Sequence, residues 1–419
     1  MKICIVGLGY IGLPTAAVFS QAGIEVVGVD KKKDIIDTLN RGDIHIEEPG
    51  LQDVIKSSVE KSLFRASLKP EKADVYIIAV PTPNLDDEYL SCDLSYVKSA
   101  CEEILPFIEK GNVVIIESTI APKSTDDYIK PIFEQENYVI GKDIFLAHCP
   151  ERVLPGQILH ELVYNNRIVG GITNKCTDMA STVYEKVVKG EIIKTEAKTA
   201  ELSKCMENTF RDVNIALANE LAKICETIDV NCLDVIEMAN KHPRVNIHQP
   251  GPGVGGHCLA IDPYFIYAKA PELAKIIKLS RDTNRSMPYY VVDKVNDLLK
   301  SEKKSKIAVF GAAYKGNVDD LRESPSIEII KLLDNQGYKI DVFDPHIQNN
   351  KFVDAEIAVK NADLILVLTD HEEYKYLNYD ELAKLMNKPV LFDTKNIINK
   401  EYNSIMTIIN YGNIYRYIN

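Results

Sequence analysis

The stretch Lys2-Ile3-Cys4-Ile5-Val6-Gly7-Leu8-Gly9-Tyr10-Ile11-Gly12 decides the fold. Five residues of strand character run straight into G-x-G-x-x-G, and residues 15–19 continue as a helix. Residues 25–29 form a second strand that ends in Asp30. Each part has a physical task. The first glycine makes a tight turn, the second lets backbone approach a pyrophosphate at a helix N-terminus, and the third allows helix to pack closely on strand. The acid is placed to accept hydrogen bonds from an adenosine ribose. Together they predict a dinucleotide site held by Gly7, Gly9, Tyr10, Ile11, Gly12 and Asp30. Asp30 would repel a 2′-phosphate, which favours NAD over NADP, and Lys31, Lys32 and Lys33 read as the solvated first turn of the next helix.

Strands and helices keep alternating beyond this unit. Residues 75–80 and 113–116 are apolar strands ending in Pro81-Thr82-Pro83 and Glu117-Ser118-Thr119. Carboxyl ends of strands face the ligand crevice of a doubly wound sheet, so Thr82 and Thr119 are candidate cofactor contacts, with simple capping as the other reading. Residues 144–147 lead to His148-Cys149-Pro150-Glu151-Arg152-Val153, which sets Glu151 beside Arg152. Residues 199–228 lack Gly and Pro and form a helix long enough to cross between domains or through a dimer interface. Lys204, Asn208 and Arg211 share one of its faces, as a pocket wall or as a solvated stripe.

The segment Gly251-Pro-Gly-Val-Gly-Gly-His257-Cys258-Leu-Ala-Ile-Asp262 carries four glycines in six residues, a loop that something can approach closely. It offers one thiol, Cys258, with the Asp262 carboxylate four residues on. A thiolate attacks carbonyl carbon readily, which makes this a covalent site; a small buried thiol in a turn is the alternative. After further helix and a charged linker at 301–305, residues 306–310 open another α/β unit with Gly311-Ala-Ala-Tyr314-Lys315-Gly316. More strands are expected at 339–343, 364–368 and 390–392. Its partial glycine signature suits a ligand other than a second dinucleotide.

At 419 residues, two or three domains are expected. The reading is α/β: two Rossmann-like doubly wound domains, at 1–195 and 301–419, joined by a long central helix and a helical dimerisation region at 196–300. A charge of −12 argues against nucleic-acid binding. No apolar run reaches membrane-spanning length and no signal peptide opens the chain, so a cytoplasmic protein is expected. Nine scattered cysteines form no C-x-x-C pair, and neither a metal site nor a disulfide framework is expected.

Taken in order, Gly7/Gly9/Gly12, Pro81-Thr82-Pro83, Glu117-Ser118-Thr119, Pro150-Glu151-Arg152, Lys204 with Asn208, Gly255-Gly256-His257-Cys258, Asp262, and Lys315 with Arg322 resemble the UDP-sugar 6-dehydrogenases over essentially the whole chain. The forms Asn-Thr-Phe-Arg-Asp-Val-Asn-Ile-Ala, His-Pro-Arg-Val-Asn and Gly-Pro-Gly-Val-Gly-Gly-His-Cys are most similar to the branch acting on UDP-N-acetyl-D-mannosamine. UDP-glucose enzymes usually have Ser before the Cys and Lys before the Asp, where this chain has His257 and Ile261. A UDP-N-acetylglucosamine or UDP-glucose 6-dehydrogenase is an alternative. The resemblance implies oxidation of the sugar C6 alcohol to a carboxylate with NAD, through a thiohemiacetal and a thioester on Cys258. It assigns catalysis to Cys258, Lys204, Asn208, Asp262 and Glu151. It gives substrate binding to Arg152, Val153, Lys204, Asn208, Arg211, His242, Arg244, Gly255, Tyr314 and Lys315, and an NAD contact to Arg322. A homodimer is implied, with Arg244 reaching the neighbouring subunit's site. Two other functions compete: a two-electron hydroxyacid dehydrogenase, which would not need Cys258, and a silent nucleotide sensor, which has no use for a nucleophile.

Overall fold

A computed structural model of the chain describes residues 1–154, 156–302, 304–399 and 405–418. Pro155 in the Pro-Glu-Arg segment and Lys303 in the expected linker lie outside the described residues. The chain divides into two compact units, one of residues 1–207 with 264–271 and one of 208–263 with 272–419.

The first unit holds β1 (Lys2–Val6), β2 (Glu25–Val29), β3 (Phe64–Ser67), β4 (Val75–Ile78), β5 (Val113–Ile116), β6 (Phe145–His148), β7 (Arg167–Gly171) and β8 (Ile192–Glu196). They lie in the order β3-β2-β1-β4-β5-β6-β7-β8. The first six are parallel, in the order of a dinucleotide-binding sheet. β7 reverses against β6, and β8 runs parallel to β7. Helices α1 (Gly12–Gln21), α2 (Lys33–Asn40), α3 (Leu51–Glu60), α4 (Ser95–Ile104), α5 (Lys130–Gln135), α6 (Ile158–Tyr164) and α7 (Asn174–Tyr184) accompany them. Alternation along β1 sends Ile3 and Ile5 to a core shared with Leu13 and Phe19, and Cys4 and Val6 to one shared with Val97 and Ile104. Both faces of the strand are thus dry, which is why it reads as an unbroken apolar run. Each such Ile or Val stabilises the fold by roughly 1.5–3 kcal/mol.

Helix α8 (Ala197–Thr227) is 31 residues long. Its residues up to Glu207 belong to the first unit and those from Asn208 to the second. The second unit continues with α9 (Cys232–Asn240), the glycine-rich loop and α11 (Lys275–Leu298); the loop leads to α10 (Asp262–Lys269), whose residues from Tyr264 on belong to the first unit. Its sheet comprises β9 (Lys306–Phe310), β10 (Lys339–Phe343), β11 (Leu364–Val367), β12 (Val390–Asp393) and β13 (Thr407–Asn410), all parallel in the order β10-β9-β11-β12-β13. Helices α12 (Pro325–Asn335), α13 (Ala355–Val359) and α14 (Tyr379–Ala383) accompany that sheet. Ile307 and Val309 face a core with Val291 and Ile329, while Ala308 and Phe310 face Tyr374 and Tyr379. The α/β class and the two doubly wound sheets expected from the sequence are therefore present. Among the described residues no helix is long and apolar enough to cross a membrane.

Candidate active site

The glycine turn of the first unit separates structural from ligand-facing roles. Gly7 has φ +96, and a Cβ there would lie 2.3 Å from the Ala79 carbonyl oxygen; one at Gly12 would lie 1.8 Å from that of Gly7. Neither position tolerates a side chain in the folded chain itself. A Cβ at Gly9 would meet nothing within 4 Å. Gly9 leaves a cradle that a side chain would fill, at the turn just before α1. Asp30 stands beside it, accepting from the Leu8 amide (3.2 Å) and the Lys32 amide (3.0 Å). Tyr10 is exposed and Ile11 immediately precedes α1. The Thr82 hydroxyl donates to the Thr119 carbonyl at 2.6 Å, tying together the chain just after β4 and β5. A backbone cradle with a carboxylate at the end of β2 fits NAD, whose pyrophosphate would lie over the turn and whose ribose would face Asp30.

Behind this turn the first unit buries a guanidinium between two carboxylates. Arg167, the first residue of β7, pairs through Nη1 with Glu151 and through Nη2 with Glu117 (2.5 Å). Glu117 also accepts from Tyr184 (2.6 Å) and Thr15 (3.1 Å), and Arg167 lies 4.3 Å over the Tyr184 ring. Burial pushes the Glu117 carboxyl up, with Arg167 opposing. His148 sits nearby with neither ring nitrogen hydrogen-bonded among the described residues; burial and the Arg167 charge lower it to about 3, so its ring is neutral. Arg152 gives its amide to Glu151 (2.6 Å) and its guanidinium to Glu207 (2.9 Å), while Val153 packs on Ile158 and Leu162. At the start of α8, buried Glu201 accepts from the Lys123 amide (2.6 Å) and from the Thr125 amide (2.8 Å) and hydroxyl (2.6 Å). Lys204 follows one turn later, half-buried.

In the second unit, Asn208 donates to Asp262 at 2.6 Å, both buried. Asp262 opens α10, and its amide bonds the Cys258 carbonyl at 2.9 Å. Cys258 is exposed, whereas the other eight cysteines are buried. The loop has no room for side chains, as its composition suggests: a Cβ at Gly255 would lie 2.4 Å from the Glu323 carbonyl oxygen, and one at Gly256, where φ is +80, 2.5 Å from the Tyr314 ring. The Gly256 amide bonds the Arg322 carbonyl (3.2 Å), and the Arg322 guanidinium is held by Asp320 at 2.7 Å. Burial and then Arg322 lower His257, which favours its neutral form. Arg211, His242, Arg244 and Lys315 are exposed.

A polar chain that sequence reasoning missed steadies the start of this loop. Asp212 accepts from Arg281 (2.5 Å) and Asn284 (2.8 Å), Asn219 donates to Asn284 (2.9 Å), and the Gly251 amide donates to Asn219 (2.8 Å). The signal was there in the spacing of Asn208, Asp212 and Asn219, polar residues that share one face of α8. That face is buried, whereas Arg211 next to it points to solvent.

His346, His371 and Glu373 are near enough to share an ion. His371 is committed otherwise: Nδ1 accepts from the Asn317 amide (2.9 Å), which leaves Nε2 carrying the proton that faces Asp344 at 3.1 Å.

The profile of the UDP-glucose/GDP-mannose dehydrogenase family matches this chain three times: its NAD binding domain at residues 1–188, its central domain at 198–286 and its UDP binding domain at 308–400. The chain belongs to that family. As a family member it is an NAD-dependent oxidoreductase with a UDP binding domain, and the cradle at Gly9 lies inside the matched NAD binding domain. A UDP-N-acetyl-D-mannosamine dehydrogenase of Methanococcus vannielii is 48% identical over 407 residues, covering 95% of this chain and 93% of that one. An NDP-N-acetyl-D-galactosaminuronic acid dehydrogenase of Ralstonia nicotianae is 45% identical, covering 94% and 95%. The structure of a UDP-N-acetyl-mannosamine dehydrogenase from S. aureus superimposes with a TM-score of 0.94 at 55% identity, covering both chains completely.

Proposed function

We propose that this dehydrogenase oxidises the C6 alcohol of UDP-N-acetyl-D-mannosamine to the carboxylate, with Cys258 as covalent nucleophile. The observation that carries the reading is Cys258 itself, the one exposed thiol, on a loop whose glycines are pressed against Tyr314 and Glu323. The similarity to UDP-N-acetyl-D-mannosamine dehydrogenases supports the choice of sugar. NAD supplies a hydride acceptor in each of two successive oxidations.

In the first, Lys204 or a water held by Asp262 takes the proton of the C6 hydroxyl as the C6–H bond is broken. The Cys258 thiolate then adds to the aldehyde carbon, forming a C–S bond and retaining the aldehyde as a thiohemiacetal. Lys204 and Asn208, one helical turn apart on α8, stabilise its oxyanion. Loss of the second hydride leaves a thioester. Water, activated by Asp262 with help from Lys204 or Glu151, forms the new C–O bond as the C–S bond breaks and the thiolate leaves. The sum is alcohol, two NAD+ and one water giving carboxylate, two NADH and three protons.

Arg152, Val153, Arg211, His242, Gly255, Tyr314 and Lys315 are assigned to the substrate and Arg322 to NAD. The functional division follows 1–195, 196–300 and 301–419, and the reaction is placed in the cytoplasm. The partner is a second copy, with Arg244 reaching its site. In support, Phe210, Leu217 and Ile224, spaced seven residues apart on α8, are 61%, 55% and 49% exposed.

The Ralstonia relative favours a second reading, a galacto-configured acetamido sugar. Initial rates on UDP-N-acetylmannosamine, UDP-N-acetylgalactosamine, UDP-N-acetylglucosamine and UDP-glucose separate the two. A kcat/KM for the mannosamine substrate at least about tenfold above every other is expected, a margin within what pocket contacts supply. A higher value for any of the others would sink the assignment.

A further inference from the structure

Arg167 is a residue whose burial demands a reason. Its side chain is 6% exposed, yet it lies at the start of a strand, faces two carboxylates and stacks on Tyr184. Removing a guanidinium from water is costly unless its partners are well placed, and here both are. One partner, Glu151, is one of the two groups proposed above to help activate the hydrolytic water. The other, Glu117, is the residue just past β5 and accepts the hydroxyl of Thr15 on α1, the helix that begins at the glycine turn.

We propose that Arg167 is a positioning residue for the hydrolytic half of the reaction, clamping the Glu151 carboxylate through Nη1 and, through Nη2, Glu117 and Thr15, fixing it relative to the helix that follows the dinucleotide turn. The fork geometry of a guanidinium suits this: two N–H edges, two carboxylates, one rigid plane. Glu151 also takes the Arg152 amide at 2.6 Å on its other oxygen, so both of its oxygens are held. The groups facing the clamp are Glu117, Tyr184, Cys149 and His148, and none of them substitutes for a second cation. A carboxylate held from both sides keeps one orientation through both hydride steps and is ready when the thioester forms. Arg167 itself touches no reacting atom; it acts through Glu151.

This inference rests on the reading that Glu151 serves thioester hydrolysis, and the two can fail separately. Glu151→Gln and Arg167→Lys are made in the full chain and mixed with NAD+ and UDP-N-acetylmannosamine. Both are expected to form two NADH per site in a first turnover and then to stall, with a sugar adduct on Cys258 seen by intact mass. Steady-state kcat should fall roughly tenfold or more and the KM for sugar should fall with it, leaving kcat/KM near the wild-type value, because slower hydrolysis piles up the covalent adduct after the substrate has been committed. A merely structural role would move stability and kcat/KM without accumulating the adduct. If Glu151→Gln stalls but Arg167→Lys cycles at the wild-type rate without adduct, the inference is overturned. A Glu151→Gln enzyme that does not stall overturns the reading of Glu151. Should Arg167→Lys not fold, the pair Arg167→Met with Glu117→Met removes one buried charge of each sign. The same stall is expected from that pair, and wild-type cycling by it would equally overturn the clamp.

Discussion

Asn208 and Asp262 meet through one hydrogen bond of 2.6 Å, from the amide of a residue on α8 to the carboxylate that opens α10, four residues beyond Cys258. Both side chains are buried, at 7% and 3% exposure. The long helix and the cysteine loop are thereby registered against each other by groups that the proposed chemistry also uses. Asn208→Ala should lose about 1.5–3 kcal/mol, the worth of a buried hydrogen bond to a charged group, in urea unfolding. Asn208→Asp sets two carboxylates together, so the folded state retains a proton that the unfolded chain gives up. Its deficit should therefore grow as pH rises from about 5 to 8. A deficit independent of pH would mean that the two groups do not meet.

Gly9 and Gly12 should fail in different ways. Gly9→Ala adds a methyl group where no atom lies within 4 Å, so the thermal midpoint is expected to stay at the wild-type value while NAD affinity drops. Gly12→Ala drives a methyl group into the Gly7 carbonyl, 1.8 Å away, and should lower the midpoint itself. Calorimetric unfolding and NAD titration of both variants check this. Unchanged NAD affinity in a folded Gly9→Ala protein would place the pyrophosphate elsewhere.

Buried Glu201 is pushed up from the ordinary 4.5 to about 7 by burial, against the three hydrogen bonds it accepts from Lys123 and Thr125. The folded state then binds more protons than the unfolded chain between these values. Its contribution to stability falls as pH rises from near 4.5 to near 7, by about 3 kcal/mol, and is flat beyond. Glu201→Gln removes that slope. The stability difference between wild type and Glu201→Gln should shift toward the variant from pH 5 to pH 7.5, and parallel pH profiles would contradict the assignment.

The exposed stripe of α8 should be covered by the second copy. Phe210→Asp with Leu217→Asp is expected to give monomers by sedimentation, with turnover reduced at low protein concentration because Arg244 is withdrawn from the neighbouring site. Monomeric wild-type protein at full activity would remove the dimer from the account.

Much of the fold was legible because its signals are local. The glycine turn, the acid after β2 and the apolar strands β1, β2, β4, β5 and β9 to β12 lie within a residue or two of where the pattern puts them. Strands β3 (Phe-Arg-Ala-Ser), β7 (Arg-Ile-Val-Gly-Gly), β8 (Ile-Ile-Lys-Thr-Glu) and β13 (Thr-Ile-Ile-Asn) were not anticipated. Charged, polar and glycine residues break their runs, and tertiary pairing overrides weak propensity there. In the site, Cys258, Asp262 and Asn208 stand out in sequence through motif and helical spacing. The pairing of Arg167 with Glu117 and Glu151 does not, because it joins residues 50 and 16 apart through the sheet. Nothing local marks a buried guanidinium at the head of a strand.

The most direct measurement is NADH formed per UDP-N-acetylmannosamine consumed, in wild type and in Cys258→Ser. Two NADH per sugar with the free uronate as product, and no complete turnover in the serine variant, is the expected result. One NADH per sugar with aldehyde released, or full turnover without the Cys258 thiol, would show that the cysteine loop is structural and that the covalent route is wrong.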